Sequence, residues 1–116
     1  MKVLFRNKEA EKQYSPKYSK KWKYPKDVKE KLLAAGGVIK AATSLKDIMN
    51  YRPFHFHRLL GKRHGEWGID LGRKTGFRII VIPCNDDNSP ILEGDILAQC
   101  KAIKVLEIME VTNHYE

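Results

Sequence analysis

Two short runs of alternating apolar residues, separated by a basic turn, constrain the fold of this chain more than any other feature. The runs are Trp67–Leu71 and Phe77–Ile82, and both follow the period of two that is typical of strands. Arg78 lies inside the second run, on the face that it shares with Ile80 and Ile82. The pattern therefore predicts an antiparallel hairpin that carries an arginine on one face.

The position of Arg78 needs a physical explanation, because burying an unpaired guanidinium costs several kcal/mol. One interpretation is that Arg78 binds an anion as part of a functional site. The other is a structural ion pair with an acid such as Asp70 on the neighbouring strand. Both interpretations remain open at the level of sequence.

The N-terminal half predicts a strand followed by helices. Lys2–Phe5 is strand-like, Lys8–Gln13 favours one or two helical turns, and apolar residues recur at helical spacing after Pro25. The pair Gly36-Gly37 weakens this helix by about 1 kcal/mol per glycine, so we expect a kink or break there. A shorter helix is expected from Ser44, with Asp47 as a capping-box-like partner and Pro53 at its end.

After Pro53 we expect only strands and turns. A third strand-like run covers Ala102–Val111, and Asn85–Ala98 is the longest irregular segment. The 116 residues suffice for one domain, 1–116, of α+β class. In that fold the N-terminal strand and the helices pack on one face of a small, mostly antiparallel sheet, and the other face is an open concave platform.

The chain has neither a long apolar run nor a signal-peptide pattern, and we therefore expect a cytoplasmic protein without a membrane segment. Cys84 and Cys100 lie sixteen residues apart without a zinc-ligand pattern, which favours reduced thiols. His55, His57 and His64 do not match a known ligand spacing either. We expect no metal and no cofactor, and we expect His55 to be a packed or surface residue.

Charge is distributed unevenly along the chain. Residues 1–64 contain 17 Lys and Arg against 5 Asp and Glu, whereas residues 65–116 contain 5 against 9. The basic side chains are interleaved with Tyr14, Tyr18, Trp22 and Tyr24, and they are Lys17, Lys20, Lys21, Lys23, Lys26, Lys29 and Lys31. Such a segment is typical of polyanion binding with stacking on unpaired bases. The less favoured alternative is a solvated helix face that only keeps the protein soluble, while an acidic protein partner that covers the segment is as compatible with it as a polyanion.

The segment Pro25–Pro83 resembles the HigB-type toxins of bacterial toxin–antitoxin systems, in the RelE/ParE superfamily. A histidine that precedes a leucine–lysine–glycine is matched by His57 and the run Leu59–Gly61. An aromatic-x-aliphatic strand and an aromatic-Arg-Ile strand follow, matched by Trp67–Ile69 and Phe77–Ile79. The family closes with Asp-Tyr-His, where this chain has Asn113-His114-Tyr115.

The resemblance implies a RelE-like fold and a ribosome-dependent, metal-independent mRNA endoribonuclease. In that reaction the ribose 2′-hydroxyl attacks its own 3′-phosphate, and the 5′-oxygen of the next nucleotide leaves. The implied catalytic residues are His57, Arg78, His114 and Tyr115. The implied RNA- or phosphate-binding residues are Lys62, Arg63, Arg73 and Lys74 in the two turns, together with Lys20, Lys21 and Lys23.

The resemblance also implies partners. These are a HigA-like helix-turn-helix antitoxin, the ribosome and its mRNA, and operator DNA contacted only through the antitoxin. Two alternatives remain: a ParE-like inhibitor of DNA gyrase or topoisomerase, and a non-catalytic RNA-binding protein.

The chain departs from the family pattern at several positions. Gly68 and Asp70 stand where related toxins often have basic residues, and Leu60 replaces the lysine before Gly61. A carboxylate on the active face repels phosphate unless it pairs with Arg78 or orients a histidine. These departures predict weaker activity or a site rebuilt around Lys62 and Arg63.

Overall fold

A computed structural model describes residues 1–15 and 24–113 of the chain. In these ranges a five-stranded sheet has the order β1-β5-β4-β3-β2, in which β1 runs parallel to β5 and the other pairs are antiparallel. The strands are β1 (Lys2–Phe5), β2 (His57–Arg58), β3 (Trp67–Asp70), β4 (Arg78–Cys84) and β5 (Val105–Thr112). The predicted hairpin is the pair β3–β4.

Four α-helices occur among the described residues, and two short 3₁₀ helices follow α3 and α4. The α-helices are α1 (Lys8–Tyr14), α2 (Lys26–Ala41), α3 (Leu45–Asn50) and α4 (Ile96–Gln99). The 3₁₀ helices are Arg52–Phe54 and Cys100–Ala102. None of the helices in the described ranges has the length and apolar character that crossing a membrane requires. The α+β class and the mostly antiparallel sheet are confirmed.

The main core lies between α2, α3 and one face of the sheet. Helix α2 buries a stripe of apolar residues at helical spacing, and these are Val28, Leu32, Ala35 and Ile39. They join one cluster with the inward residues of the strands, among them Ile69, Ile79, Val81, Leu106 and Ile108. Because alternate strand residues point to opposite faces, Arg78 and Ile80 lie on the other face, as the alternation predicts.

The expectation of a break at Gly36-Gly37 is wrong. Helix α2 continues from Lys26 to Ala41 through both glycines. A β-carbon on Gly36 would lie 3.6 Å from the Tyr14 hydroxyl, so a small residue allows α1 to approach α2 closely. The buried stripe of α2 stabilises the helix by more than the cost of about 1 kcal/mol per glycine.

The start of α3 differs in detail from the expected capping box. Ser44 precedes the helix as predicted, but its side chain makes no capping hydrogen bond. Instead the backbone N–H and the hydroxyl of Thr43 donate to Asp47 Oδ2 at 2.8 and 2.9 Å. These hydrogen bonds lower the pKa of Asp47.

Two expectations for the C-terminal half are also wrong. The segment after Pro53 is not only strand and turn, because α4 begins inside the supposedly irregular stretch, where the Asp95 carboxylate accepts a hydrogen bond from the N–H of Ala98 at 3.1 Å. The last strand begins at Val105, since the Cys100–Ala102 segment forms a 3₁₀ helix. Helices of three or four residues are too short to show a periodic apolar pattern, so the sequence did not predict these two elements.

The second face of the sheet is an open platform only in part. The β4 side chains Ile80, Ile82 and Cys84 on this face are buried. Leu59 is also buried, and its Cδ2 lies 3.4 Å from where a β-carbon on Gly68 would be, so the chain after β2 covers part of the face. The prediction of a fully open platform is therefore wrong.

The buried Tyr24 gives a test of the packing at high pH. Its hydroxyl donates to the Gln13 carbonyl at 3.1 Å, and burial raises the pKa of Tyr24 from 10.0 to about 12. A raised pKa stabilises the folded state fully below pH 10, and this contribution is lost as the pH rises through about 12. We expect Tyr24→Phe to lose about 1 kcal/mol at pH 7, from the hydrogen bond.

The same variant should lose less stability than the wild type between neutral and strongly alkaline pH. Urea unfolding of both proteins at several pH values measures the difference. An identical fall in unfolding free energy for both proteins would show that Tyr24 ionisation is not coupled to folding.

Candidate active site

The strand register brings a histidine, a carboxylate and an arginine onto one face of the sheet. His57 of β2 pairs with Gly68 of β3, and Asp70 of β3 pairs with Arg78 of β4. Gly68 and Asp70 are two residues apart, so both point away from the main core. The three polar side chains therefore share the face that the core does not fill.

The Asp70 carboxylate forms an ion pair with Arg78 across the hairpin. Nε of Arg78 lies 3.0 Å from Oδ1 of Asp70, and the side chains are only 20% and 11% exposed. The direction of the N–H group does not satisfy hydrogen-bond geometry, and Oδ1 has no hydrogen-bond partner in the described structure. The contact is thus a partly buried electrostatic pair. The ion pair between Arg78 and Asp70 that the sequence offered as one interpretation is present.

The backbone of His55 determines which ring nitrogen of His57 can accept a proton. Nδ1 of His57 lies 2.7 Å from the carbonyl oxygen of His55. A carbonyl oxygen can only accept, so Nδ1 must carry the hydrogen that is donated. In the neutral ring Nε2 then has the lone pair, which is the state that a general base or a metal ligand requires.

Gly68 provides the space into which the His57 ring fits. A β-carbon on Gly68 would lie 3.0 Å from Cε1 and 3.3 Å from Nε2 of His57. The first distance is tighter than about nine in ten real β-carbon contacts, so a β-carbon here requires the ring to move by a few tenths of an ångström. The departure from a basic residue at position 68 therefore has a local cause.

His55 is a member of this site that the sequence analysis did not identify. Its side chain is 65% exposed and its Nδ1 lies 3.1 Å from Oδ2 of Asp70, while its ring stacks on that of His57 at a centroid distance of 4.9 Å. Its φ of 43° is left-handed, which costs about 1 kcal/mol or more for a non-glycine residue. Sequence patterns do not encode a left-handed backbone at a histidine. The only sequence signal for His55 is that it lies two residues before His57.

Asp70 therefore joins two groups through its two oxygens. Oδ1 contacts Arg78, and Oδ2 contacts His55. The ligating atoms of His55, His57 and Asp70 lie within 4.8 Å of one another. His64 is exposed in the turn between β2 and β3 and is not part of this cluster.

The basic residues of the two turns differ in their surroundings. Arg63 forms ion pairs with Glu66 at 2.9 Å and with Glu110 at 3.5 Å, so it would have to leave these partners to bind phosphate. Lys62 in the same turn is exposed, as are Arg73 and Lys74 between β3 and β4. The turn lysines and Arg73 are therefore accessible cations near the hairpin, and the exposed Arg58 of β2 is another.

Several predicted residues lie outside the described ranges. These are His114 and Tyr115 at the C-terminal end, and Lys20, Lys21 and Lys23 in the basic aromatic segment.

A groove of about 380 Å³ lies beside the sheet face that carries His57, Asp70 and Arg78, but it does not include these residues. Its wall contains Leu59, Trp67 and Leu92, together with the ionisable side chains of Arg58, His64 and Glu93. None of His57, Asp70 and Arg78 lines it. The groove is therefore a surface feature separate from the sheet face that carries His57, Asp70 and Arg78.

Comparison with known proteins identified no matching family model and no curated protein with significant similarity.

The ion pair predicts a measurable energetic coupling between its two residues. Removing one partner leaves the other as a partly buried, uncompensated charge, so the double variant Asp70→Ala/Arg78→Ala should lose less stability than the sum of the losses in the two single variants. We expect a coupling energy of about 1–3 kcal/mol in a double-mutant cycle measured by urea unfolding.

Asp87, in the turn after β4, provides the control. Its carboxylate accepts hydrogen bonds from Ser89 rather than from Arg78, so a cycle between Asp87 and Arg78 should be additive within about 0.5 kcal/mol. Equal coupling in both cycles would contradict a specific Asp70–Arg78 pair.

Proposed function

We propose that this chain is the toxin of a type II toxin–antitoxin pair and acts as a ribosome-dependent, metal-independent mRNA endoribonuclease in the cytoplasm. The observation that carries the proposal is the position of His57 and Arg78 on one sheet face, with the His57 tautomer fixed by the His55 carbonyl. Exposed cations in the adjacent turns support a polyanionic ligand.

The proposed reaction needs a base, a group that stabilises the phosphorane, and an acid. Nε2 of His57 would remove the proton from the ribose 2′-hydroxyl, whose oxygen then attacks the adjacent phosphorus. The Arg78 guanidinium would stabilise the extra negative charge on the phosphorane oxygens. The 5′-oxygen leaves with a proton, which His114 or Tyr115 would supply on the basis of the family resemblance.

Asp70 has two opposite effects in this mechanism. It holds the guanidinium of Arg78 on the reactive face, at 3.0 Å, and it also places a negative charge where the phosphate must approach. A phosphate that binds Arg78 therefore competes with this carboxylate. The competition favours slow cleavage outside the ribosome, where the message is not held in place.

No family model matches the chain, so the proposed partners rest on the resemblance alone. They are a HigA-like helix-turn-helix antitoxin, the ribosome with its mRNA, and operator DNA reached through the antitoxin. A neighbouring reading frame with a helix-turn-helix pattern would support this assignment.

The Asp70–Arg78 pair keeps two alternative functions open. If Arg78 is only structural, the chain is a non-catalytic RNA-binding protein or a ParE-like inhibitor of a DNA topoisomerase. Growth arrest with unbroken messages after induction would favour the inhibitor, whereas cut messages require the nuclease.

The first functional prediction concerns Arg78→Ala. Induced expression of the wild type should stop growth and produce cut messages, detected by mapping new RNA ends. Arg78→Ala should relieve toxicity and reduce cutting by about 100-fold or more, because the variant loses the phosphorane stabilisation. Persistent cutting by a folded Arg78→Ala protein would remove Arg78 from the mechanism.

Two controls separate loss of chemistry from loss of fold. Arg78→Ala should still bind the antitoxin in a co-purification assay. Lys46→Ala changes an exposed cation on α3, away from the hairpin, and should retain full cutting.

The second functional prediction uses Gly68 to displace the base without removing it. A β-carbon at 3.0 Å from Cε1 should shift the His57 ring by a few tenths of an ångström, and the resulting misalignment of Nε2 should lower the cleavage rate of Gly68→Ala below that of the wild type. The histidine ring signals in NMR spectra should shift in parallel.

Gly37→Ala is the matched control for Gly68→Ala. A β-carbon at Gly37 meets no atom within 4 Å, and the residue lies inside α2. This variant should keep full activity and gain up to about 1 kcal/mol of stability. Equal activity of the two alanine variants would contradict the role of His57 as base.

A further inference from the structure

We propose that His55, His57 and Asp70 form a binding site for a divalent transition metal, of which Zn²⁺ has the best-matched chemistry. The three side chains come from the turn after α3, from β2 and from β3. One ligating atom of each residue lies within 4.8 Å of the others, and rotation of the exposed His55 ring out of its stack on His57 would bring the three to a common ion. The third ligand is Asp70 and not His64, which the sequence analysis considered with His55 and His57, because His64 does not lie in this cluster.

The His57 ring is already oriented as metal-binding histidines are. Its Nδ1–H donates to the His55 carbonyl at 2.7 Å, which leaves the Nε2 lone pair for coordination. Histidine ligands in metalloproteins almost always donate their other ring N–H to a carbonyl or carboxylate, and this contact fixes the ring and raises its basicity. The orientation is an observation independent of the clustering of the three ligands.

His55 and Asp70 supply the remaining ligands. Nδ1 of His55 lies 3.1 Å from Oδ2 of Asp70, so Nδ1 carries the hydrogen that is donated to the carboxylate. A metal ion that binds both atoms at about 2.0–2.2 Å would displace this proton, which is released to solvent. Since the His55 side chain is 65% exposed, it can rotate toward the ion without disturbing the core.

The donor set selects the class of metal. Two imidazole nitrogens and one carboxylate oxygen favour zinc and related first-row ions over Mg²⁺ and Ca²⁺, which prefer oxygen ligands. Three protein ligands leave a coordination position for water. Arg78 at 3.0 Å from Oδ1 opposes the positive ion, so the site should exchange metal rather than hold it permanently.

Metal binding would have a consequence for the nuclease, which rests on the proposed function. A Zn²⁺ ion on Nε2 of His57 occupies the lone pair that would remove the 2′-hydroxyl proton. Zn²⁺ should therefore inhibit cleavage and a chelator should restore it. The metal would be an inhibitor of the proposed reaction rather than a cofactor.

Direct binding to the full chain tests the site without any RNA. Titration calorimetry with Zn²⁺, and visible absorption of bound Co²⁺ as a geometric probe, should give one ion per chain. His55→Ala and Asp70→Asn should each weaken binding by about tenfold or more, as loss of a ligand is at least as costly as loss of a supporting contact. His64→Ala is the matched control and should bind as the wild type does.

Circular dichroism of the His55→Ala protein shows whether the loss is local. His55 is exposed, so this variant should keep its fold. Absence of one-to-one binding in the wild type, or equal binding by wild type and folded His55→Ala, would overturn the proposal. Binding that weakens more in His64→Ala than in His55→Ala would also overturn it.

The nuclease readout separates the two proposals. If Zn²⁺ binds as described while no message is cut under any condition, the metal site stands and the nuclease function fails. If messages are cut but the protein binds no Zn²⁺, the nuclease function stands and the metal site fails.

Discussion

The carboxylate of Asp70 joins two strands and a histidine on the polar face of the sheet. One oxygen lies 3.0 Å from Nε of Arg78 and the other lies 3.1 Å from Nδ1 of His55. An arginine that is only 20% exposed would be costly in this position without such a partner. The register of β3 with β4 places Asp70 opposite Arg78, and the register of β2 with β3 places His57 on the same face.

The hairpin can carry this polar face because its other face is anchored in the core. Ile69 and Ile79 are fully buried between the sheet and the helices, and this burial fixes which side chains point outward. A slip of one residue would turn Arg78 into the core and expose Ile79. Because the orientation of β3 is fixed by the core, its pairing with β2 places Gly68 opposite His57 on the polar face. The packing of the core therefore determines the location of the candidate base.

Much of the fold was predictable from periodicity, because amphipathic strands and helices repeat their apolar residues at fixed intervals. The hairpin, the stripe of α2 and the face of Arg78 followed from that pattern, and Asp70 was a foreseeable partner of Arg78. The continuity of α2 through Gly36 was not, because the burial of its apolar stripe, which offsets the cost of the two glycines, depends on the tertiary packing. The role of His55 was hidden for a similar reason, since a left-handed φ of 43° has no sequence signal.

The chemistry of the RNA ends tests the central claim most directly. Attack by the ribose 2′-hydroxyl, with His57 as base and Arg78 beside the phosphorus, must leave a 2′,3′-cyclic phosphate and a 5′-hydroxyl. Mass spectrometry of fragments cut from a ribosome-bound message by the purified protein distinguishes these ends from those of hydrolysis. Cyclic phosphate ends are the predicted result, and fragments with 3′-hydroxyl and 5′-phosphate ends would contradict the account.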